Sequence, residues 1–217
     1  MTESKLRKEA GNSSAFHFDS TSEATNVLVA GVGGQGVILA TYVLSQVALE
    51  EAYDVKQNDV VGMSQRGGSV VSHLRFGQNV HSPLVAPGTA DLLLSFEALE
   101  ALRYQHWLKA EGRLVYNIAR INPATVAGGF AEYPVDVPEQ IRKLRQNVVP
   151  VDGTALASRA GNRRAANVAL LGAVSVFLPF GEEAWKAVIK QVVPSKTIDA
   201  NLAAFQLGRE AVNRANV

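Results

Sequence analysis

Gly62-Met63-Ser64-Gln65-Arg66-Gly67-Gly68-Ser69 places a side-chain amide and a fork-shaped guanidinium directly before two residues without Cβ. That combination suits recognition of a carboxylate, a phosphate or a facing backbone: Gln65 and Arg66 supply donors, while Gly67 and Gly68 let the other surface approach closely. Upstream, Gly31-Val32-Gly33-Gly34-Gln35-Gly36 satisfies G-x-G-x-x-G at Gly31, Gly33 and Gly36, after an apolar run and at the mouth of an expected helix. Amides at such a helix start favour a phosphate or another anion. The same spacing also serves tight helix–sheet packing or a subunit contact. A dinucleotide site would need an acid at the end of the second strand, and the candidates Asp54 and Asp59 lie in a polar, weakly strand-like segment.

Other reactive constellations are missing. His17, His73, His81 and His106 show neither H-x-x-x-H nor H-E-x-x-H spacing, which argues against a metal site. His73 is expected to be a satisfied sheet residue. Ser64, Ser69 and Ser72 do not build a G-x-S-x-G elbow, so no nucleophile is nominated. Arg159, Arg163 and Arg164 surround Gly161-Asn162 in a basic turn, and Arg142, Lys143 and Arg145 share a short helix. Both clusters read as solvated faces, the first also suited to an anionic ligand or partner. Without interleaved aromatics, neither reads as a nucleic-acid surface.

These loops must be held by an alternating pattern of strands and helices. Apolar or alternating runs predict strands over 26–30, 54–58, 69–76, 90–96, 113–117 and 147–151. In the run 69–76, Val71, His73 and Arg75 oppose Val70, Ser72, Leu74 and Phe76. Helices are expected over 35–51, 97–108, 135–146, 155–160, 165–178, 182–191 and 198–212, the first with Val37, Tyr42, Leu44, Val47 and Ala48 as its apolar stripe. The fold class is α/β: a three-layer α/β/α domain with a largely parallel sheet and a helical C-terminal part. Residues 1–24 are polar and aperiodic and read as a flexible N-terminal extension or docking arm, leaving 25–217 as one domain.

Composition narrows the function classes. The 217 residues are 47% hydrophobic and 19% charged, an ordinary globular balance, and the net charge of +1 gives no nucleic-acid footprint. No apolar run reaches membrane-spanning length and the first residues lack a secretory h-region, so a cytoplasmic setting is expected. Cysteine is absent, which removes disulfides, thiolate nucleophiles and cysteine-held zinc or iron–sulfur sites. In redox chemistry the electrons would be carried by another chain or a bound organic cofactor.

Between about Asn26 and Leu207 the sequence resembles the gamma subunit or domain of thiamine-diphosphate-dependent 2-oxoacid:ferredoxin oxidoreductases, and within that family the small (beta) subunits of indolepyruvate ferredoxin oxidoreductases. The residues that carry the likeness are Gly31–Ala40, Gly62–Gly77, Ala90–Leu94 with Glu97, Asp152–Ala157 and Asn167–Ala173. The resemblance implies a hetero-oligomer that oxidatively decarboxylates a 2-oxo acid, first choice an aryl pyruvate, to its acyl-coenzyme A. A large partner subunit would hold thiamine diphosphate, Mg and [4Fe-4S] clusters and pass electrons to ferredoxin. None of these groups would be bound by this chain alone, which would not be active by itself. Gln65, Arg66, Gly67 and Gly68 become candidate contacts to substrate, coenzyme A or the facing subunit, and Gly33, Gly34, Gln35 and Gly36 candidate parts of the active-site wall. The competing expectation is a stand-alone NAD- or FAD-binding protein using the first glycine turn.

Overall fold

The computed structural model describes residues 24–62 and 67–215. The expected extension therefore lies, except for Ala24, outside the described residues, as do Gln65 and Arg66. The first strand, β1 (Ala24–Val32), is apolar and directs Val27 and Val29 into one core and Leu28 and Ala30 into another. A strand with two buried faces needs no polar alternation. The first glycine turn leads into α1 (Val37–Glu50), followed by β2 (Asp54–Val61) and β3 (Ser69–Gly77). Next come β4 (Ala90–Ser95), α2 (Ala98–Tyr104) and β5 (Leu108–Asn117). A short α3 (Ala124–Ala127) and α4 (Val137–Leu144) precede β6 (Val148–Val151). The remainder is helical: α5 (Gly153–Arg159), α6 (Ala166–Ser175), α7 (Glu182–Val192) and α8 (Ile198–Ala215).

The six strands form one sheet in the order β2-β3-β1-β4-β5-β6. β1, β4, β5 and β6 pair in parallel, whereas β3 runs antiparallel to both β1 and β2. β2 therefore points the same way as β1, and five strands share one direction. The largely parallel sheet is as expected, with one reversal. The larger core lies between the sheet and α1, α6, α7 and α8, and the smaller core lies under α2 and α4 on the opposite face. This is the expected three-layer arrangement with a helical C-terminal part.

Two local expectations need correction. The helix expected over 97–108 stops at Tyr104, a 3-10 turn covers Gln105–Trp107, and β5 already begins at Leu108. Polar Lys109 and Glu111 hid the start of that strand. Ala90 is paired with Leu108 there, and Lys109 makes an ion pair with the buried Asp91. In α1 one residue of the expected apolar stripe is misplaced: Val37, Leu44, Val47 and Ala48 are buried, whereas Tyr42 is 45% exposed and Ala40 and Val43 complete the buried face. The helix is apolar around much of its circumference, so hydrophobicity alone did not separate Tyr42 from its buried neighbours.

Candidate functional site at the carboxyl edge of the sheet

β1 and β2 both end at the edge of the sheet where β3 begins, because Val32 pairs with Ser69 and Val61 with Val70. The two glycine segments are thereby brought to one edge, and Gly33 N–H donates to Gly68 O at 2.8 Å to join them. The parallel strand β4 ends beside them, with Phe96 N–H donating to Ala30 O at 2.8 Å. Loops beyond the carboxyl ends of parallel strands are the usual place for a ligand or partner in an open α/β sheet.

Gln35 fixes the first turn. Its side-chain oxygen accepts from Val32 N–H at 2.8 Å, and its side-chain amide donates to Phe96 O, also at 2.8 Å. Both ends are committed to the ends of β1 and β4, so Gln35 shapes the turn and does not offer its amide outward. A Cβ on Gly31 would lie 2.7 Å from Val37 Cγ2 and 2.9 Å from Phe96 Cβ, which makes this glycine a packing requirement. Gly34 (φ +101°) and Gly67 (φ +77°) have left-handed backbones and open space where a Cβ would be. Asn167, in the first turn of α6, closes the other side of the turn against Gly36.

A buried polar network underlies this edge. Glu97, 1% exposed, caps α2 by accepting from Glu100 N–H at 3.0 Å. It also accepts from Tyr133 Oη–H at 2.6 Å and Ile121 N–H at 3.2 Å, while Arg120 lies 4.0 Å over the Tyr133 ring. Burial first, and then the bond to Glu97, pushes the Tyr133 phenol well above its ordinary range. Glu100 accepts from Ser69 Oγ–H at 2.5 Å, and Tyr104 Oη lies 3.1 Å from the same hydroxyl. Burial raises the Glu100 carboxyl above its ordinary value, with Ser69 and Arg103 acting in the opposite direction. The second glycine segment thus enters β3 at a residue anchored to a buried acid.

Sequence reasoning missed most of this network. Glu97, Glu100, Tyr104 and Tyr133 occur at no recognisable spacing, and of the four only Glu97 is among the residues that carry the family resemblance. His73, by contrast, is the satisfied sheet residue expected: its Nδ1 accepts from Val85 N–H at 3.2 Å, its ring meets Trp107 edge-on at 5.2 Å, and burial lowers its pKa.

The acid that a dinucleotide ribose would require is not at this edge. Strand β3 separates β1 from β2, and Asp54 stands at the start of β2, bonded to Lys56 and to Val80 N–H. Asp59 is occupied by Ser72 Oγ–H at 2.5 Å and by the Gln57 amide at 3.1 Å. Among the described residues no group of three or more His, Asp or Glu side chains could hold a metal ion, and the sequence offers no cysteine. Also among the described residues, no helix is long and apolar enough to cross a membrane.

The family model for pyruvate ferredoxin/flavodoxin oxidoreductase matches residues 26–211. The chain belongs to this oxidoreductase family. It is 42% identical over 193 residues to the indolepyruvate oxidoreductase subunit IorB of Thermococcus kodakarensis, covering 86% of this chain and 95% of that subunit. To 2-oxoglutarate synthase subunit KorC of Methanothermobacter thermautotrophicus it is 31% identical, also over 193 residues, covering 86% of this chain and 94% of that subunit. Among solved structures, the gamma subunit of a keto/oxoacid ferredoxin oxidoreductase from Geobacter sulfurreducens shares the fold with a TM-score of 0.65 at 23% identity, covering 88% of this chain and 99% of that one.

Proposed function

We propose that this chain is the small subunit of a thiamine-diphosphate-dependent indolepyruvate-type 2-oxoacid:ferredoxin oxidoreductase. The complex oxidatively decarboxylates an aryl pyruvate in the presence of coenzyme A, yielding the acyl-coenzyme A, carbon dioxide and two electrons for ferredoxin. The 42% identity to an IorB subunit along nearly the whole of that protein carries this reading.

Thiamine diphosphate supplies the carbanion and electron sink that decarboxylation of a 2-oxo acid requires. In this reading it resides with Mg and the [4Fe-4S] clusters in a large partner subunit, since no group of acids or histidines among the described residues fits a metal ion and the sequence has no cysteine for a cluster. The contribution of the small subunit is shape and polar contact. Gln65 and Arg66 donate to coenzyme A phosphate, to substrate or to the facing subunit. Gly67 and Gly68 keep that approach open, and Gly33, Gly34 and Gly36 form a wall whose shape Gln35 sets. Ile38, Leu39 and Tyr42, between 42% and 46% exposed on α1 just beyond the first turn, supply an apolar rim suited to a subunit contact.

Co-expression with the large subunit and assay against a panel of 2-oxo acids tests the reading. Coenzyme-A-dependent ferredoxin reduction is expected from the complex only, with aryl pyruvates preferred. Arg66→Ala is expected to lower turnover or assembly. Turnover by the isolated chain with its own tightly bound prosthetic group, or stoichiometric uptake of NAD or FAD, would instead establish the stand-alone dinucleotide reading.

A further inference from the structure

A hollow of about 510 Å³, open to solvent and with Arg163, Arg164 and Lys196 exposed along it, lies between the turn that joins α5 to α6 and the start of α8; none of its lining residues belongs to either glycine segment. Arg163 and Arg164 line it from one side and Lys196 from the other, together with Asn162 and Thr197. Two stretches more than thirty residues apart in sequence are therefore folded together so that three cations face one hollow, and no carboxylate is among its lining residues. The volume falls within the roughly 300–1,000 Å³ of small-ligand sites.

The cations are held on fixed supports. Two 3-10 turns carry them, Arg163–Ala165 and Ser195–Thr197; in the first, Asn162 accepts from Arg164 N–H at 3.1 Å and Ala165 N–H donates to Asn162 O at 2.9 Å. In the second, Thr197 donates to Pro194 O through both its N–H and its hydroxyl at 2.8 Å, and Asn201 holds Thr197 O at 2.8 Å. Three arginines elsewhere are engaged within the fold: Arg75 donates to Asn26 and Ser82 O, Arg145 to Gln105 and Lys109 O, and Arg209 to Ser175 and Glu182. The side chains of Arg163, Arg164 and Lys196 make no ion pair or hydrogen bond with any described residue. Like charges gathered without an acid repel one another until an anion joins them.

We infer that this cavity is a separate binding site for a small ligand bearing a diphosphate group, held by Arg163, Arg164 and Lys196. Arginine forks and a lysine ammonium match phosphate oxygens in geometry and charge. A diphosphate balances three cations better than a single phosphate does. The cavity has no aromatic lining on which bases would stack, so a single-stranded nucleic acid is disfavoured as occupant.

Calorimetric titration of the purified full chain with inorganic pyrophosphate, ADP and AMP at fixed ionic strength tests the site. One saturable pyrophosphate or ADP site is expected, stronger than AMP binding. It should weaken about tenfold or more in Lys196→Gln and in the double variant Arg163→Gln/Arg164→Gln. Binding is expected to be unchanged in Lys190→Gln, with unfolding curves confirming that every variant is folded. ADP binding tighter than pyrophosphate identifies a nucleotide, and equal affinity an inorganic or non-nucleotide diphosphate; both support the site. Absence of saturable binding, or binding retained in the pocket variants, overturns it. Loss of binding in Arg66→Ala alone also overturns it, by moving the diphosphate to the second glycine segment while leaving the proposed enzyme function standing.

Discussion

The two glycine segments meet at one sheet edge, yet their glycines are there for different reasons. In the first, Gly31 is squeezed between Val37 and Phe96, Gly36 abuts Asn167, and both ends of the Gln35 side chain are bonded to neighbouring strand ends. In the second, no other described atom lies within 4 Å of the place where a Gly67 Cβ would be, and the anchor lies two residues further on, at Ser69 on Glu100. Gly31 and Gly36 of the first segment are thus packed inside the fold, whereas Gly67 of the second, like Gly34, is not packed against any other described residue. A glycine-rich motif is therefore evidence of close approach, and the tertiary structure decides whether the approaching surface is the chain itself or something else.

The contrast is most severely tested at Gly31. Gly31→Ala is expected to cost about 2–3 kcal/mol in chemical denaturation of the full chain, because backbone and core must shift to admit the methyl group. A loss of only a few tenths would show that the first turn has more room than its contacts imply. Gln35→Ala is expected to cost about 2 kcal/mol, since Val32 N–H and Phe96 O both lose their partner. Gly67→Ala should cost about 1 kcal/mol, from the left-handed backbone alone, yet impair assembly or turnover of the complex more than Gln35→Ala does. If the two substitutions reverse that order in the activity assay, the open segment is not the contact surface.

The smallest expected effect concerns the buried acid. Because the folded-state pKa of Glu100 is raised, its ionisation costs stability as pH rises from the ordinary value of 4.5 through the folded value. Glu100→Gln keeps an oxygen for the Ser69 hydroxyl and carries no such cost. The variant should therefore melt slightly above the parent at neutral pH, and the difference should close as pH falls toward 4.5. A gap that widens on acidification would mean that the carboxylate is favoured where it sits.

Much of this architecture was readable from local pattern. β1 and β4 are short apolar runs that read as strands, and the helices expected over 155–160, 165–178, 182–191 and 198–212 correspond to α5, α6, α7 and α8. The early start of β5 was not readable, since Lys109 and Glu111 suit an exposed helix as well as a strand whose charges are paired from outside. The exposure of Tyr42 on α1 was not readable either, although Val37, Leu44, Val47 and Ala48 are buried as expected, because hydrophobicity alone does not separate Tyr42 from the residues buried opposite it. The two glycine segments could each be singled out as candidates, but their union through Gly33 and Gly68 depends on β3 inserting between β1 and β2.

What the amino-acid sequence determined by itself was the order of strands and helices, the two glycine-rich segments, the absence of thiols and the family. Each of these depends on neighbouring residues or on a pattern of residue types along one stretch. The tertiary structure alone decided the reversal of β3, the commitment of Gln35 to the turn, the acid network beneath Ser69 and the gathering of Arg163, Arg164 and Lys196 around one cavity. These features join residues tens of positions apart, and their geometry is set by which faces bury apolar area together, a quantity that no local stretch contains.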